Sequence, residues 1–268
     1  YNKSINSRLN KKSISAILSR VYLKMGEDAK AVSAATDAIA GDGSDIASIS
    51  DFSKIFTTSM EVPEVLFRIA ITADNGYLPG NDWGQGSESS YIANYSVTYS
   101  LNELYKSTDI RRSQIKLVNG GAYNVVWKYN NGGKSTGLID IPIIRASEVY
   151  LTRAEANYNL KNYDDALSDL NLVKERRYSD YEEGTESGAA LEKEIQLQRR
   201  LELAFEGHRF FDLKRRHEDV QRDGKGFMAD GSGVPSSTQH VSADSPYYVM
   251  PIPQSEIDAN KNMVQNKY

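Results

Sequence analysis

Two segments of the chain carry the same helical pattern, and this repeat constrains the fold more than any other feature. Residues 13–40 and 147–177 each place apolar side chains at helical spacing on either side of a break. At an offset of 135 residues, small side chains align, and within each segment they stand twelve apart. Small residues at this spacing let two antiparallel helices cross closely, as in tetratricopeptide hairpins. The aligned pairs are Ser19 with Ala154 and Ala31 with Ala166.

Each segment is therefore predicted to be a helical hairpin, and the chain to be mainly α-helical. The first hairpin turns at Gly26 and the second at Lys161–Asn162. Two hairpins so far apart in the chain do not form a continuous array, so they predict a helical scaffold with a long insertion. The apolar stripe expected on the first helix consists of Ile14, Ile17, Leu18, Val21 and Tyr22.

The insertion, residues 61–144, is predicted to be rich in loops and poor in β-structure. Residues 64–71 read as a buried segment with strand character, and 122–133 as a short strand followed by a turn. A short helix is expected near Leu101. Residues 72–95 have four glycines, a proline and no apolar period, which predicts a loop. A loop of this length in an ordered domain usually carries function.

The last third of the chain begins with a long helix. Residues 190–217 are expected to form it without interruption, because apolar residues recur along one side and basic residues close its C-terminal end. Residues 219–268 are predicted to be irregular. Pro251 and Pro253 prevent a helix before Ser255, which is expected to cap a brief helix.

Charge and composition exclude several classes of protein. The chain has 32 basic and 36 acidic residues, a formal net charge of −4, which disfavours a general nucleic-acid binder. The absence of cysteine excludes disulfides and thiolate chemistry. No apolar run reaches the ~18 residues of a membrane span, and the first residues lack the apolar core of a signal peptide. The 17 tyrosines suit sites for sugars or peptides.

Several stretches together resemble the SusD/RagB family. "PIIRASEVYLTRAEANYNLKNYDDALSDLNLVKERR" is similar to its central tetratricopeptide-like region, and "MPIPQSEIDANKNMVQN" to its C-terminal Pro-Ile-Pro-x-x-Glu-x-x-x-Asn signature. "SISAILSRVYLKMGE" and "YSLNELYKSTDIRR" resemble an earlier hairpin and a segment near the ligand-side loops. "QRRLELAFEGHRFFDLKRR" resembles the helix Glu-Leu-x-x-Glu-Gly-x-Arg-x-x-Asp-x-x-Arg. Its matching residues are Glu202, Leu203, Glu206, Gly207, Arg209, Asp212 and Arg215.

This resemblance implies a function that is not catalytic. Family members are lipoproteins on the outer face of the outer membrane that capture glycans, or in some members peptides. They act as lids on a TonB-dependent transporter of the SusC type. The resemblance thus implies a glycan ligand and a SusC-type partner, with no cofactor, metal or nucleic acid. Alternatives are a peptide-binding member of the family and, from another class, an intracellular tetratricopeptide scaffold that docks proteins.

The resemblance also implies how the chain is organised. Family members are about twice as long, and the N-terminal part they add holds the export signal, the lipid-anchor cysteine and some ligand loops. The chain is expected to be one SusD-like domain whose membrane anchor lies outside this sequence. Its expected parts are the first hairpin (1–60), the ligand-side insertion (61–144), the second hairpin with the long helix (145–218) and the irregular C-terminal region (219–268).

Glu206, Arg209, Asp212 and Arg215 lie three residues apart and alternate in sign. Neighbours at this spacing pair along a helix or with an adjoining element, so they are predicted to be structural ion pairs. Glu206 and Arg209 are expected to contact the scaffold away from any pocket. A catalytic interpretation would centre on His208, but no nucleophile has a recognisable frame around it, and the adjacent Phe210 and Phe211 are expected in the core.

Trp83 is the main candidate for ligand binding. It lies in the glycine-rich loop, where an aromatic face can stack on the apolar face of a sugar ring and amides or carboxylates can bind hydroxyls. The alternative is that Trp83 folds the loop onto the scaffold. Trp127 has a strand-like frame and is predicted to be core. The residues grouped with Trp83 as ligand contacts are Tyr77, Asn81, Asp82 and Tyr91.

Other acidic groups carry weaker signals. The adjacent carboxylates Glu182–Glu183 and Asp164–Asp165 are read as solvated turns, because neighbouring side chains diverge too far for glycosidase chemistry. The segment 41–51 only faintly resembles a calcium loop and lacks its closing Glu. A calcium site formed by Asp74, Asn81 and Asp82 is a further weak alternative.

Overall fold

Helices form most of the regular structure, which confirms the predicted mainly α-helical fold. The structure is a computed structural model that describes residues 5–56, 62–72, 74, 76, 78–130 and 137–267. In chain order, the α-helices are α1 (Lys11–Met25), α2 (Asp28–Ala38), α3 (Tyr99–Asn102), α4 (Ala146–Asn159), α5 (Tyr163–Glu175), α6 (Gly188–Glu202), α7 (Arg209–Arg215) and α8 (Gln254–Ala259).

Within the described residues the strands are short and form two-stranded antiparallel sheets. They are β1 (Val65–Ile69), β2 (Gly84–Ser87), β3 (Ser90–Ala93), β4 (Ile115–Val118), β5 (Tyr123–Val126), β6 (Ile141–Arg145), β7 (Val220–Gln221) and β8 (His240–Val241). The first strand pairs with β6, which runs directly into α4. This pair therefore ties the start of the insertion to the second hairpin.

Both predicted hairpins are present, and α4 is their common centre. Helix α4 packs against α1, α2, α5 and α6. The aligned small residues Ser19, Ala31, Ala154 and Ala166 are all fully buried. Their lack of bulk allows the close crossing that the twelve-residue spacing predicted.

The buried face of α1 differs from the expected apolar stripe. Ile14, Leu18 and Val21 are all at least 40% exposed, whereas the face turned inward carries Ser13 and Ala16 together with Ser19. The close crossing of the helices selects small side chains on the contact face, and this outweighs the burial of larger ones. Ile17 and Tyr22 are half-buried against the core.

The glycine-rich segment contains more regular structure than the predicted loop. Pro79–Asp82 forms a 3-10 helix, and β2 and β3 form a hairpin immediately after it. A Cβ on Gly84 would lie 2.6 Å from both the carbonyl oxygen of Ile92 and the ring of Tyr91. Strand β2 therefore requires glycine where a typical strand sequence would have alternating side chains. For this reason the sequence pattern did not predict the hairpin.

The predicted continuous helix over 190–217 is wrong, because α6 ends at Glu202 and α7 starts at Arg209. Phe205 (φ 66°) and Gly207 (φ 80°) adopt left-handed backbone conformations between them. Two backbone carbonyls of the break accept hydrogen bonds from side chains outside it. The Ala204 carbonyl accepts one from Lys128 Nζ, and the Phe205 carbonyl accepts one from the Tyr129 hydroxyl.

Smaller expectations at the C-terminal side also need correction. Helix α8 begins at Gln254 after Pro253, so Ser255 lies inside the helix and is not its cap. Phe210 and Phe211 are exposed, packing edge to face on each other, because the break before α7 turns them away from the core. Trp127 is half-buried and packs on Tyr91.

Candidate ligand-binding site

A buried network of charges holds the elements around the break between α6 and α7. Glu202 accepts hydrogen bonds from Arg145 (2.8 Å), Arg177 (2.9 Å) and Arg111 (3.4 Å). Burial by itself would raise the pKa of Glu202, but the charges of Arg177 and Arg145 outweigh burial and hold this pKa well below its usual range. Glu64 also pairs with Arg145 and Arg177.

Glu206 extends this network into the break itself. Its carboxylate accepts from Lys128 Nζ and from the Arg145 guanidinium, each at 2.6 Å. Burial works against ionisation, but Arg145 and Lys128 lower the pKa of Glu206 to about 2. Burial also lowers the pKa of Lys128 to about 8, against the attraction of Glu206.

The ion pairs of α7 tie it to α4 and α6. Arg215 donates to both carboxylate oxygens of Glu155 at 2.7 Å and also pairs with Asp212. Asp212 in addition pairs with Arg199 at 3.3 Å. Burial opposes ionisation here too, but Arg199 and Arg215 lower the pKa of Asp212 to about 2.

Arg209 differs from its expected place in these ion pairs. Its side chain forms no hydrogen bond or ion pair with any residue that the structure describes, and it lies in the lining of a groove. Glu206 also contributes to a cavity wall, contrary to the expectation. The physical reason is the break: Glu206 precedes α7 and turns into the network, so it does not share a helix face with Arg209.

Two cavities flank the break. The larger, here called the groove, has a volume of about 740 Å³ and lies between the segment 94–101, the break with α7, and the C-terminal segment 220–239. The smaller has a volume of about 340 Å³ and is lined by Trp83 and Asp82 with residues of the scaffold. Phe205 and His208 line both cavities.

Trp83 lines the smaller cavity and contacts two aromatic residues, Tyr95 and Phe205, that line the groove. Its ring stacks on Tyr129 (centroids 5.4 Å apart, 23° between planes) and meets Phe205 and Tyr95 edge to face. Trp83 is half-buried, so one part of the indole packs on the scaffold and another faces the smaller cavity. Tyr95, which is 62% exposed, carries this aromatic cluster into the groove.

The other residues grouped with Trp83 are spread over different places. Asp82 is exposed beside Trp83 in the smaller cavity, and the backbone carbonyl of Asn81 accepts from Asn94. Tyr91 is only 5% exposed and packs beneath Gly84, so it differs from the expectation of a ring open to a ligand. Tyr77 lies outside the described residues.

Sequence reasoning missed several residues that line the cavities. Tyr95 and Tyr99 stand within or beside the stretch that drew attention to Trp83, and their aromatic character was the available signal. Tyr129, Phe205 and Arg200 carried no such signal, because they come from distant segments that only folding brings together.

Neither a metal centre nor a membrane span is found in the part of the chain that the structure describes. No group of three or more His, Cys, Asp or Glu side chains converges there to hold a metal ion. No helix within those same ranges has both the length and the apolar character needed to cross a bilayer. His208 is buried 3.8 Å from Glu148, and burial lowers its pKa despite that carboxylate, which favours the neutral imidazole.

The fold and cavities define a class: a scaffold of tetratricopeptide-like hairpins whose connecting segments form an aromatic surface beside two cavities. The sequence profile of the SusD family matches residues 71–268, and the chain belongs to this family.

Individual relatives agree with this assignment. The chain is 32% identical over 171 residues to the starch-binding protein SusD of Bacteroides thetaiotaomicron, an alignment that covers 59% of this chain and 28% of SusD. It superposes on a SusD superfamily protein of the same species (TM-score 0.79, 26% identity), covering 100% of this chain and 62% of the other.

A proposed sugar-binding protein of Bacteroides vulgatus is also similar (TM-score 0.83, 26% identity), with 99% of this chain and 61% of the other covered. The chain thus spans less than a third of the curated relative and less than two thirds of these two solved structures.

Proposed function

We propose that this chain is part of a non-catalytic cell-surface protein that captures glycans. Membership of the SusD family supports this proposal, as do the names of similar proteins, one described as starch-binding and another as a proposed sugar-binding protein. The family resemblance further supports a location on the outer face of the outer membrane. It also supports delivery of the glycan to a TonB-dependent transporter of the SusC type.

The observation that carries the proposal is the aromatic cluster of Trp83, Tyr95, Tyr129 and Phe205 between two open cavities. Trp83 is braced by the scaffold on one face, which fixes its orientation before a ligand arrives. Tyr95 projects into the groove with most of its surface in solvent. Flat aromatic faces held in this way suit the apolar faces of sugar rings, and Asp82 adds an acceptor for hydroxyl groups.

Calorimetric titration of the chain with starch oligosaccharides, other glycans and peptides tests the proposal. We expect at least one glycan to bind and Tyr95→Ala to weaken that binding about tenfold, the effect of losing one aromatic contact of about 1.5 kcal/mol. The melting temperature of this variant should hold, because its ring is largely exposed. Trp83→Ala should weaken binding and also lower stability, because the indole packs on Tyr129 and Phe205.

Tyr247→Ala is the matched control, since Tyr247 is 69% exposed and lies apart from both cavities. Its affinity should equal that of the parent chain. Binding of peptides but no glycan would replace the proposal with the peptide-binding alternative. Equal glycan affinity for the Tyr95 and Tyr247 variants would remove the aromatic cluster from the site.

A further inference from the structure

The groove is positively charged within a negatively charged chain. Its lining contains the basic residues Arg199, Arg200, Arg209, Arg222 and Lys225. Among the described residues, the same lining contains only two carboxylates. The whole chain has the opposite balance, with a formal net charge of −4. A concave surface with such a local excess attracts negatively charged ligands. The two carboxylates of the lining are Asp212 and Asp223.

Both acidic residues of the groove already have partners. Asp212 pairs with Arg199 and with Arg215. Asp223 accepts a hydrogen bond from the backbone N–H of Lys225. Two carboxylates do not balance the five basic residues of the lining, so part of the positive charge of the groove remains uncompensated.

Arg200 lies near the end of α6 and Arg209 begins α7, so both stand beside the break; Arg200 is half-buried and Arg209 is exposed. Neither guanidinium forms a hydrogen bond or an ion pair with a residue in the described ranges. Burial first, and then the charge of Arg200, lower the pKa of Arg209. Burial likewise lowers the pKa of Arg200, although Tyr105 and Asp223 oppose it. Both arginines line the groove without a bonded carboxylate, so an acidic ligand in the groove would supply one.

The groove also holds the aromatic groups that a sugar needs. Tyr95, Tyr99 and Phe227 contribute to its lining, and Lys225 Nζ lies 5.7 Å from the centre of the Tyr99 ring. A guanidinium offers paired N–H donors that match the two oxygens of a carboxylate or a sulfate. The groove thus combines aromatic faces that can stack on a sugar ring with guanidinium groups that can bind an acidic substituent.

We propose that the groove binds glycans bearing carboxylate or sulfate groups, with Arg200 and Arg209 as the residues that contact the acidic group. This inference rests on the proposed glycan-binding function and specifies the ligand class. Neutral glycans would make the aromatic contacts but leave the two guanidiniums without partners.

The test compares charged and neutral forms of the same glycan by calorimetry. The probes are oligogalacturonate with its methyl ester, and dextran sulfate with dextran of equal length. We expect the charged form of at least one pair to bind at least tenfold more tightly than its neutral form, as for one hydrogen bond to a charged group. This preference should shrink as salt is raised, because the groove is open to solvent. The two pairs distinguish a carboxylate ligand from a sulfate ligand.

The double variant Arg200→Gln/Arg209→Gln should lose the preference for the charged form and keep the parent's affinity for the neutral form. Arg112→Gln is the control, since it removes one positive charge from an exposed site outside the groove and should leave the preference intact. The melting temperature of the double variant should not fall, because neither arginine stabilises the fold through an ion pair.

Four results would overturn the inference. Tighter binding of the neutral forms would reject the inference and leave the proposed function standing. If the chain binds neither the four probes nor any other glycan, both the inference and the proposed function are rejected. If the double variant keeps the parent's preference for the charged glycan, residues other than Arg200 and Arg209 contact the acidic group. Equal or tighter binding of poly-glutamate of matched length would show that the groove selects acidic peptides.

Discussion

Two sets of arginines in this molecule differ in what surrounds them. Arg111, Arg145 and Arg177 are fully buried and all three bond to Glu202, and Arg111 also bonds to the nearby Asp109. Arg200 and Arg209 lie in the groove without an ion pair to any described residue. The same side chain therefore serves two purposes, and the presence or absence of a carboxylate partner separates them. Paired arginines hold the scaffold together, while unpaired ones in a cavity are available to a ligand.

Glu202→Gln should have the largest effect, because this carboxylate bonds to Arg111, Arg145 and Arg177. Removing its charge leaves buried guanidiniums poorly compensated, and we expect the free energy of unfolding to fall by about 3–5 kcal/mol in urea titrations. Glu88→Gln is the control: Glu88 forms an exposed pair with Lys116, which should contribute at most about 1 kcal/mol. Equal losses for the two variants would show that burial of the pair has no energetic consequence.

Acid should unfold the protein through the same buried carboxylates. Glu206 has a pKa lowered from 4.5 to about 2, so its contribution is complete above about pH 4.5 and is lost as pH falls toward 2. A shift of this size corresponds to about 3 kcal/mol. We expect Glu206→Gln to reduce the slope of stability against pH in this window, while Arg200→Gln leaves that slope unchanged. A parent-like slope for Glu206→Gln would contradict the role given to the buried pairs.

The sequence predicts the part of the fold that depends on local pattern. Small residues such as Ser19 and Ala154 indicated where the helices cross. This was predictable because the size of a side chain is known from the sequence, and small side chains are what a close crossing requires. The resemblance to a family covered most of the chain and anticipated the helical scaffold. The acidic and basic spacing from Glu206 to Arg215 also marked a region of ion pairs.

The sequence could not predict what depends on distant partners. The break after Glu202 is held by Lys128 and Tyr129, which donate to the carbonyls of Ala204 and Phe205, and no local pattern identifies these distant partners. Arg209 and Arg215 look equivalent in sequence, but only Arg215 meets a carboxylate from α4. Tyr91 drew attention as an aromatic in a polar loop, yet the absence of a side chain at Gly84 lets it pack inward.

Separate substitution of Arg209 and Arg215 by alanine distinguishes an unpaired from a paired arginine within the same helix, α7. Thermal and urea unfolding of the two variants should give different results. Arg215→Ala breaks the bonds to Glu155 and Asp212 and should lose about 2–3 kcal/mol. Arg209→Ala should stay within about 0.5 kcal/mol of the parent. A loss for Arg209→Ala as large as that for Arg215→Ala would show that pairing with a carboxylate does not separate the two arginines.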